Sequence, residues 1–116
     1  MKTREMAGSI VEKLTSRRLT VATAESCTGG MAGAYLTAVP GASAVFECGI
    51  IAYANRVKAK LLGVSEETLT RFGAVSRQTA EEMAKGVRRT AGSSVGISSQ
   101  RRRHPEAATS NPPAGH

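Results

Sequence analysis

A layered α/β domain with a thin sheet is the fold class this sequence predicts. Three observations carry it. Stretches with apolar residues every three to four positions alternate with short apolar runs rich in β-forming residues. Their order along the chain reads α-β-α-β-α-α-α-β, the signature of helices layered on a sheet. A length of 116 residues suits one small domain with a modest core.

The elements follow from the N-terminus. Residues 3–17 place Met6, Ile10, Val11 and Leu14 on one helical face, with Glu5, Glu12, Lys13 and Arg17 mostly elsewhere. Residues 19–24 alternate larger apolar and polar side chains and read as a strand. Glu25-Ser26-Cys27-Thr28-Gly29-Gly30 is a tight turn into a short helix over 31–38. Gly33 lowers the propensity of that helix but permits close packing on a sheet. Val39-Pro40-Gly41 ends it. Residues 44–54 read as a long strand, in which Gly49 marks a bulge or a close backbone approach. Asn55 is placed to cap a helix running to Leu62, stopped by Gly63. Ser65 opens a helix over 66–72, closed by Gly73. Ser76 caps a longer helix over 77–91, with Ala80, Met83, Ala84 and Val87 on its apolar face. Residues 94–98 form a third strand.

Periodicity stops at Gln100. Arg101-Arg102-Arg103-His104-Pro105 and the Ala, Ser, Asn and Pro that follow cannot bury enough apolar area to offset their ordering entropy. The expected organisation is therefore a folded unit over 1–99 and an irregular tail over 100–116. Three strands make a thin sheet for this architecture, which leaves two expectations: a small sheet, or one that is incomplete.

Composition excludes several functions. No apolar run approaches the ~20 residues of a membrane span, and the amphipathic opening after Met1 has no apolar h-region, so it is not expected to act as a secretory leader. The expected address is the cytoplasm. Aromatic residues make up 3%, which argues against stacking on single-stranded nucleic acid. The net charge of +7 is spread over sixteen Lys and Arg against nine Glu, a mixed pattern that suits solvated faces better than a nucleic-acid groove. There is no Asp, and the two histidines, His104 and His116, stand in the tail. A Ser-His-Asp triad or a His-rich metal site within the folded unit is thereby excluded. Cys27 and Cys48 are not a C-x-x-C pair and read as reduced thiols.

Chemistry concentrates in the turn from Glu25 to Gly30. A hydroxyl there stands at the carboxyl end of a strand, where open α/β sheets hold their sites. The N–H groups of the following helix favour negative charge, so a phosphate or an oxyanion would suit them. An ordinary strand–helix turn capped by Thr28 is the competing reading. If Ser26 is a nucleophile, the folded unit offers only Lys or Glu as its base. A neutral Lys amine can take the serine proton. Lys58 and Lys60 follow the second strand directly, although the usual role of such a lysine is a solvated surface charge.

Five ordered blocks then carry a resemblance. They are Thr-Ala-Glu-Ser-Cys-Thr-Gly-Gly (23–30), Val-Pro-Gly-Ala-Ser-Ala (39–44), Ala-Tyr-Ala-Asn-x-x-Lys (52–58), Leu-Leu-Gly-Val (61–64) and Phe-Gly-Ala-Val-Ser (72–76). Together they resemble the CinA C-terminal domain family, whose characterised members are nicotinamide-nucleotide amidohydrolases. The resemblance implies a three-layer α/β/α fold with a small sheet. It implies hydrolysis of nicotinamide mononucleotide to nicotinic acid mononucleotide and ammonia, with Ser26 as nucleophile, Lys58 as base and no metal or cofactor. By the same carry-over Ser43 and Tyr53 lie near the substrate, and Thr28, Gly29 and Gly30 form the turn that contacts an oxyanion or phosphate. A homodimer is the implied assembly, with no nucleic-acid or membrane partner. The family's glycine loop is replaced after residue 99, where Gln100 stands for a hydroxyl and Arg101, His104, Ala107 and Ala108 stand for flexible positions. Three readings stay open: the amidohydrolase, a non-catalytic remnant of it, and a nucleotide- or protein-binding module of the same fold.

Overall fold

The computed structural model describes residues 3–26 and 29–100. Its elements are α1 (Thr3–Arg17), β1 (Val21–Glu25), α2 (Met31–Thr37), a 3-10 turn (Ala42–Ala44), β2 (Phe46–Ile51), α3 (Asn55–Leu62), α4 (Glu66–Phe72), α5 (Arg77–Ala91) and β3 (Val95–Ser99). The order of helices and strands is the one the sequence predicts, with the 3-10 turn added.

All three strands are parallel and stand in the order β2-β1-β3. Side chains on a strand alternate between faces, so β1 sorts the core in two. Val21 joins Ala7, Val11, Leu14, Leu36, Ala42 and Val45 under α1 and α2. Ala22 and Ala24 join Ala52, Leu62, Val64, Met83 and Val87 under α3, α4 and α5. The result is three layers, helix on sheet on helix. Full burial of a side chain such as Leu62 or Met83 contributes about 2–3 kcal/mol each.

Glycine decides how closely the layers meet. A Cβ on Gly86 of α5 would fall inside the Leu62 carbonyl at the end of α3, and one on Gly96 of β3 inside the Ala84 carbonyl of α5. Gly49 works the same way: a Cβ there would stand 3.0 Å from the Thr23 Oγ1 and 3.3 Å from the Phe46 ring. Gly49 is thus a close-approach position. The shift in β1–β2 register lies earlier, between the pairs Val21–Phe46 and Ala22–Cys48.

Caps set the remaining boundaries. Ser65 Oγ accepts from Thr68 N, and Ser76 Oγ accepts from Thr79 N, as expected of serine N-caps. Glu82 of α5 fixes the start of α4, accepting from Ser65 N at 2.9 Å and from Thr68 Oγ1 at 2.6 Å. One expectation is corrected. Ala54, not Asn55, is the N-cap of α3, and Asn55 is its first helical residue. No helix among the described residues is long and apolar enough to cross a membrane.

Candidate active site at the carboxyl edge of the sheet

Parallel strands bring their carboxyl ends to one edge, and the residues that follow them share it. Ser26 directly follows β1. Its N–H donates to the Ser99 carbonyl at 3.2 Å, while the Ala52 N–H donates to the Glu25 carbonyl at 2.8 Å. The backbone around Ser26 is therefore tied to both neighbouring strands. Alternation from Ala22 and Ala24 places Ser26 on the face covered by α3 and α5. It is 2% exposed.

Lys58 reaches the same face from the other side. Only three residues separate the end of β2 from the start of α3, so the helix N-terminus stands at the carboxyl edge. Lys58 lies one turn in, among the residues that cover the Ala24 face, and is also 2% exposed. Its Nζ donates to Asn55 Oδ1 at 3.5 Å. Fully burying a lysine is rare unless its head group has partners, so the solvated-surface reading does not hold for Lys58.

Glu25 lies on the opposite face, at the end of β1. Its Oε1 accepts from Ala32 N at 2.7 Å and its Oε2 accepts from Gly33 N at 2.8 Å. These are the second and third residues of α2, whose N-cap is Gly30. The first turn of this helix is thus held by a carboxylate of the same chain. That corrects the expectation that the α2 N–H groups stand ready for a substrate anion. In the turn before the helix, Gly29 and Gly30 adopt φ of +67° and +92°.

The other expected residues are placed as follows. Tyr53 follows β2 at the same edge and is 75% exposed, so its ring is open at the rim. Gly30 sits against the neighbouring Ile51, where a Cβ would come within 2.9 Å of Cδ1. Ser43 is exposed within the 3-10 turn that precedes β2. That is the amino edge, about 16 Å from Ser26 at ~3.3 Å per strand residue. One chain therefore does not bring Ser43 to Ser26, because α2 carries the backbone down the full height of the sheet between them. Thr28 and Cys27 lie outside the described residues, as does the tail over 101–116. Gln100, at the end of β3, donates through Nε2 to the Ala74 carbonyl at 2.8 Å and lies 3.6 Å from the Met83 sulfur. Cys48 is a half-buried thiol on β2.

Sequence reasoning missed the Glu25 clamp. Its partners lie seven and eight residues away, which matches no local capping pattern. A Glu at a strand end before a glycine turn and a short helix is the only signal the sequence carries for it.

A family model described as the CinA C-terminal domain matches residues 3–116. A putative competence-damage inducible protein of Acetivibrio thermocellus is 48% identical over 102 residues, covering 88% of this chain and 25% of that protein. A CinA-like protein of Kosmotoga olearia is 47% identical over 106 residues, covering 91% of this chain and 26% of its own length. The chain thus spans about a quarter of the length of the curated relatives it matches. Among solved structures, a CinA superfamily protein from Escherichia coli superposes with a TM-score of 0.85 at 31% identity, covering 97% of this chain and 66% of that one. The competence/damage inducible protein CihA from Agrobacterium tumefaciens gives 0.74 at 45% identity, covering 84% and 58%.

Proposed function

Because the chain belongs to the CinA C-terminal domain family, we propose that it hydrolyses the carboxamide of nicotinamide mononucleotide through Ser26 and Lys58. The observation that carries the reading is the burial of both side chains, each 2% exposed, on one face of the sheet at its carboxyl edge. A serine and a lysine withdrawn from water at the strand ends suit nucleophile and base.

The steps balance with these two groups. The Lys58 amine, in its neutral form, takes the proton as the Ser26 Oγ attacks the carboxamide carbon. The C=O electrons move onto oxygen, and N–H groups of the turn through Thr28, Gly29 and Gly30 receive that oxyanion. Collapse expels the amide nitrogen, which leaves as ammonia with the proton returned by Lys58. A water then attacks the acyl-serine, Lys58 again taking and returning a proton, and nicotinic acid mononucleotide leaves. The open ring of Tyr53 offers the nicotinamide a flat partner at the rim.

A second reading, nucleotide binding without turnover, draws on Gln100. Its amide is bound to the Ala74 carbonyl at the edge where the resemblance places a hydroxyl. Ammonia release from nicotinamide mononucleotide, with Ser26→Ala alongside, tests both. Release that vanishes in the variant supports the amidohydrolase. Binding of the nucleotide by calorimetry with no release supports the second reading and overturns the first.

A further inference from the structure

We infer that Glu25 is the positioning residue that holds Ser26 in its reactive place. The inference rests on the reading of Ser26 as nucleophile and adds to it a side chain that supports its backbone beside the bond to the Ser99 carbonyl. Ser26 opens a turn whose later residues, Gly29 and Gly30, both take positive φ. Glycine gives such a turn its shape but no stiffness. Glu25 supplies the stiffness by joining the two ends of the turn. Its main chain is the last residue of β1, held by the Ala52 N–H at 2.8 Å. Its carboxylate takes Ala32 N at 2.7 Å and Gly33 N at 2.8 Å at the start of α2.

Two features suit the clamp to this task. The carboxyl group is buried, with Glu25 2% exposed, so its charged hydrogen bonds are shielded from water. Gly33 also leaves room for it, since a Cβ there would stand 3.3 Å from Oε2. Ser26 is flanked on one side by its own N–H bond to the Ser99 carbonyl at 3.2 Å and on the other by Glu25, whose carboxylate is anchored to α2, so loss of that anchor loosens one of its two supports. An error of about 1 Å in a reacting group costs on the order of 10²-fold in rate. Glu25 does this from the face opposite the one Ser26 occupies, through the backbone rather than by touching substrate.

The test compares Glu25→Gln, Glu25→Asp and Gly33→Ala with the unmodified chain. The rate at which Ser26 is phosphonylated by a fluorophosphonate is read by peptide mass, and kcat and KM for ammonia release are read separately. Glu25→Gln turns an NH2 toward one of the two N–H donors. It should slow both phosphonylation and kcat by about 10- to 100-fold with KM held within about twofold, and Glu25→Asp should recover part of the loss. Gly33→Ala presses on the same carboxylate without altering charge and should slow labelling in the same sense; it decides the matter if Glu25→Gln does not fold. Labelling of folded Glu25→Gln at the unmodified rate overturns the inference. Normal Ser26 labelling without ammonia release defeats the substrate reading alone, and the labelling ratio still decides the role of Glu25.

Discussion

Replacing Gly86 by alanine should destabilise the protein, although the same change in an open helix does the opposite. Gly86 sits in the interior of α5, where glycine costs up to ~1 kcal/mol against alanine. Propensity alone therefore predicts a gain. The structure predicts a loss, because the new Cβ would occupy the space of the Leu62 carbonyl, a backbone group that cannot swing aside. Helix α5 must then part from the end of α3, where Leu62 is fully buried. Overpacking of this kind costs typically 1–3 kcal/mol and occasionally more, and backbone contact belongs at the upper end. Net of propensity, a loss of about 2 kcal/mol is expected, equal to a fall in Tm of roughly 10 °C for a domain of this size. Gly8→Ala is the internal control. Gly8 lies in α1 with nothing within 4 Å of an added Cβ, so Tm should rise by a few degrees. Thermal and urea unfolding by far-UV circular dichroism read both variants. A Gly86→Ala protein as stable as the unmodified chain would refute the close α3–α5 approach, and with it the burial that places Lys58.

Other outcomes follow from the same geometry. Ser26→Ala and Lys58→Ala should each reduce ammonia release by at least ~10³-fold, and Lys58→Arg should not restore it because a guanidinium does not surrender its proton; single-turnover kinetics check this. Tyr53→Ala should raise KM severalfold and leave Tm nearly unchanged, since the ring is exposed; steady-state kinetics and calorimetry separate the two effects. Glu82→Ala removes the acceptor of both Ser65 N and Thr68 Oγ1 and should cost about 1–3 kcal/mol, seen as a lower urea midpoint with unchanged slope.

Residues whose partners are near in sequence are legible in the sequence itself. Ser76 and the apolar face through Met83 define α5 from Arg77 to Ala91, because cap and stripe are local signals. Strand limits are less legible. The first strand starts two residues later than its pattern suggests, because Leu19 N bonds back to the Leu14 carbonyl and Arg18 takes φ of +58° to close α1. That closing position is commonly glycine, and an arginine there gives no warning. The apolar run over 44–54 likewise overstates β2, since Ala42–Ala44 wind into a 3-10 turn first. At the site, residue inventory and resemblance name Ser26 and Lys58, but not their shared face. Ser43 shows the limit most plainly. A block pattern orders residues along the chain, and only the path of α2 reveals that Ser43 lies at the opposite edge.

The strand order has a consequence for how the chain acquires its shape. β1 is the hub of the sheet, yet one of its two neighbours is the last element described. Thr20 and Ser94 clasp across 74 positions, with each backbone N–H donating to the other residue's hydroxyl oxygen. Closing so long a loop adds little to the equilibrium cost, about 0.6 kcal/mol per doubling of length, but it slows the search. A chain leaving the ribosome N-terminus first must carry α1, β1 and α2 through synthesis with one flank of the hub unpaired. That open flank is a template for self-association until β3 arrives on α5 to seal it. Nascent-chain quality control should therefore matter more to this fold than its small size suggests.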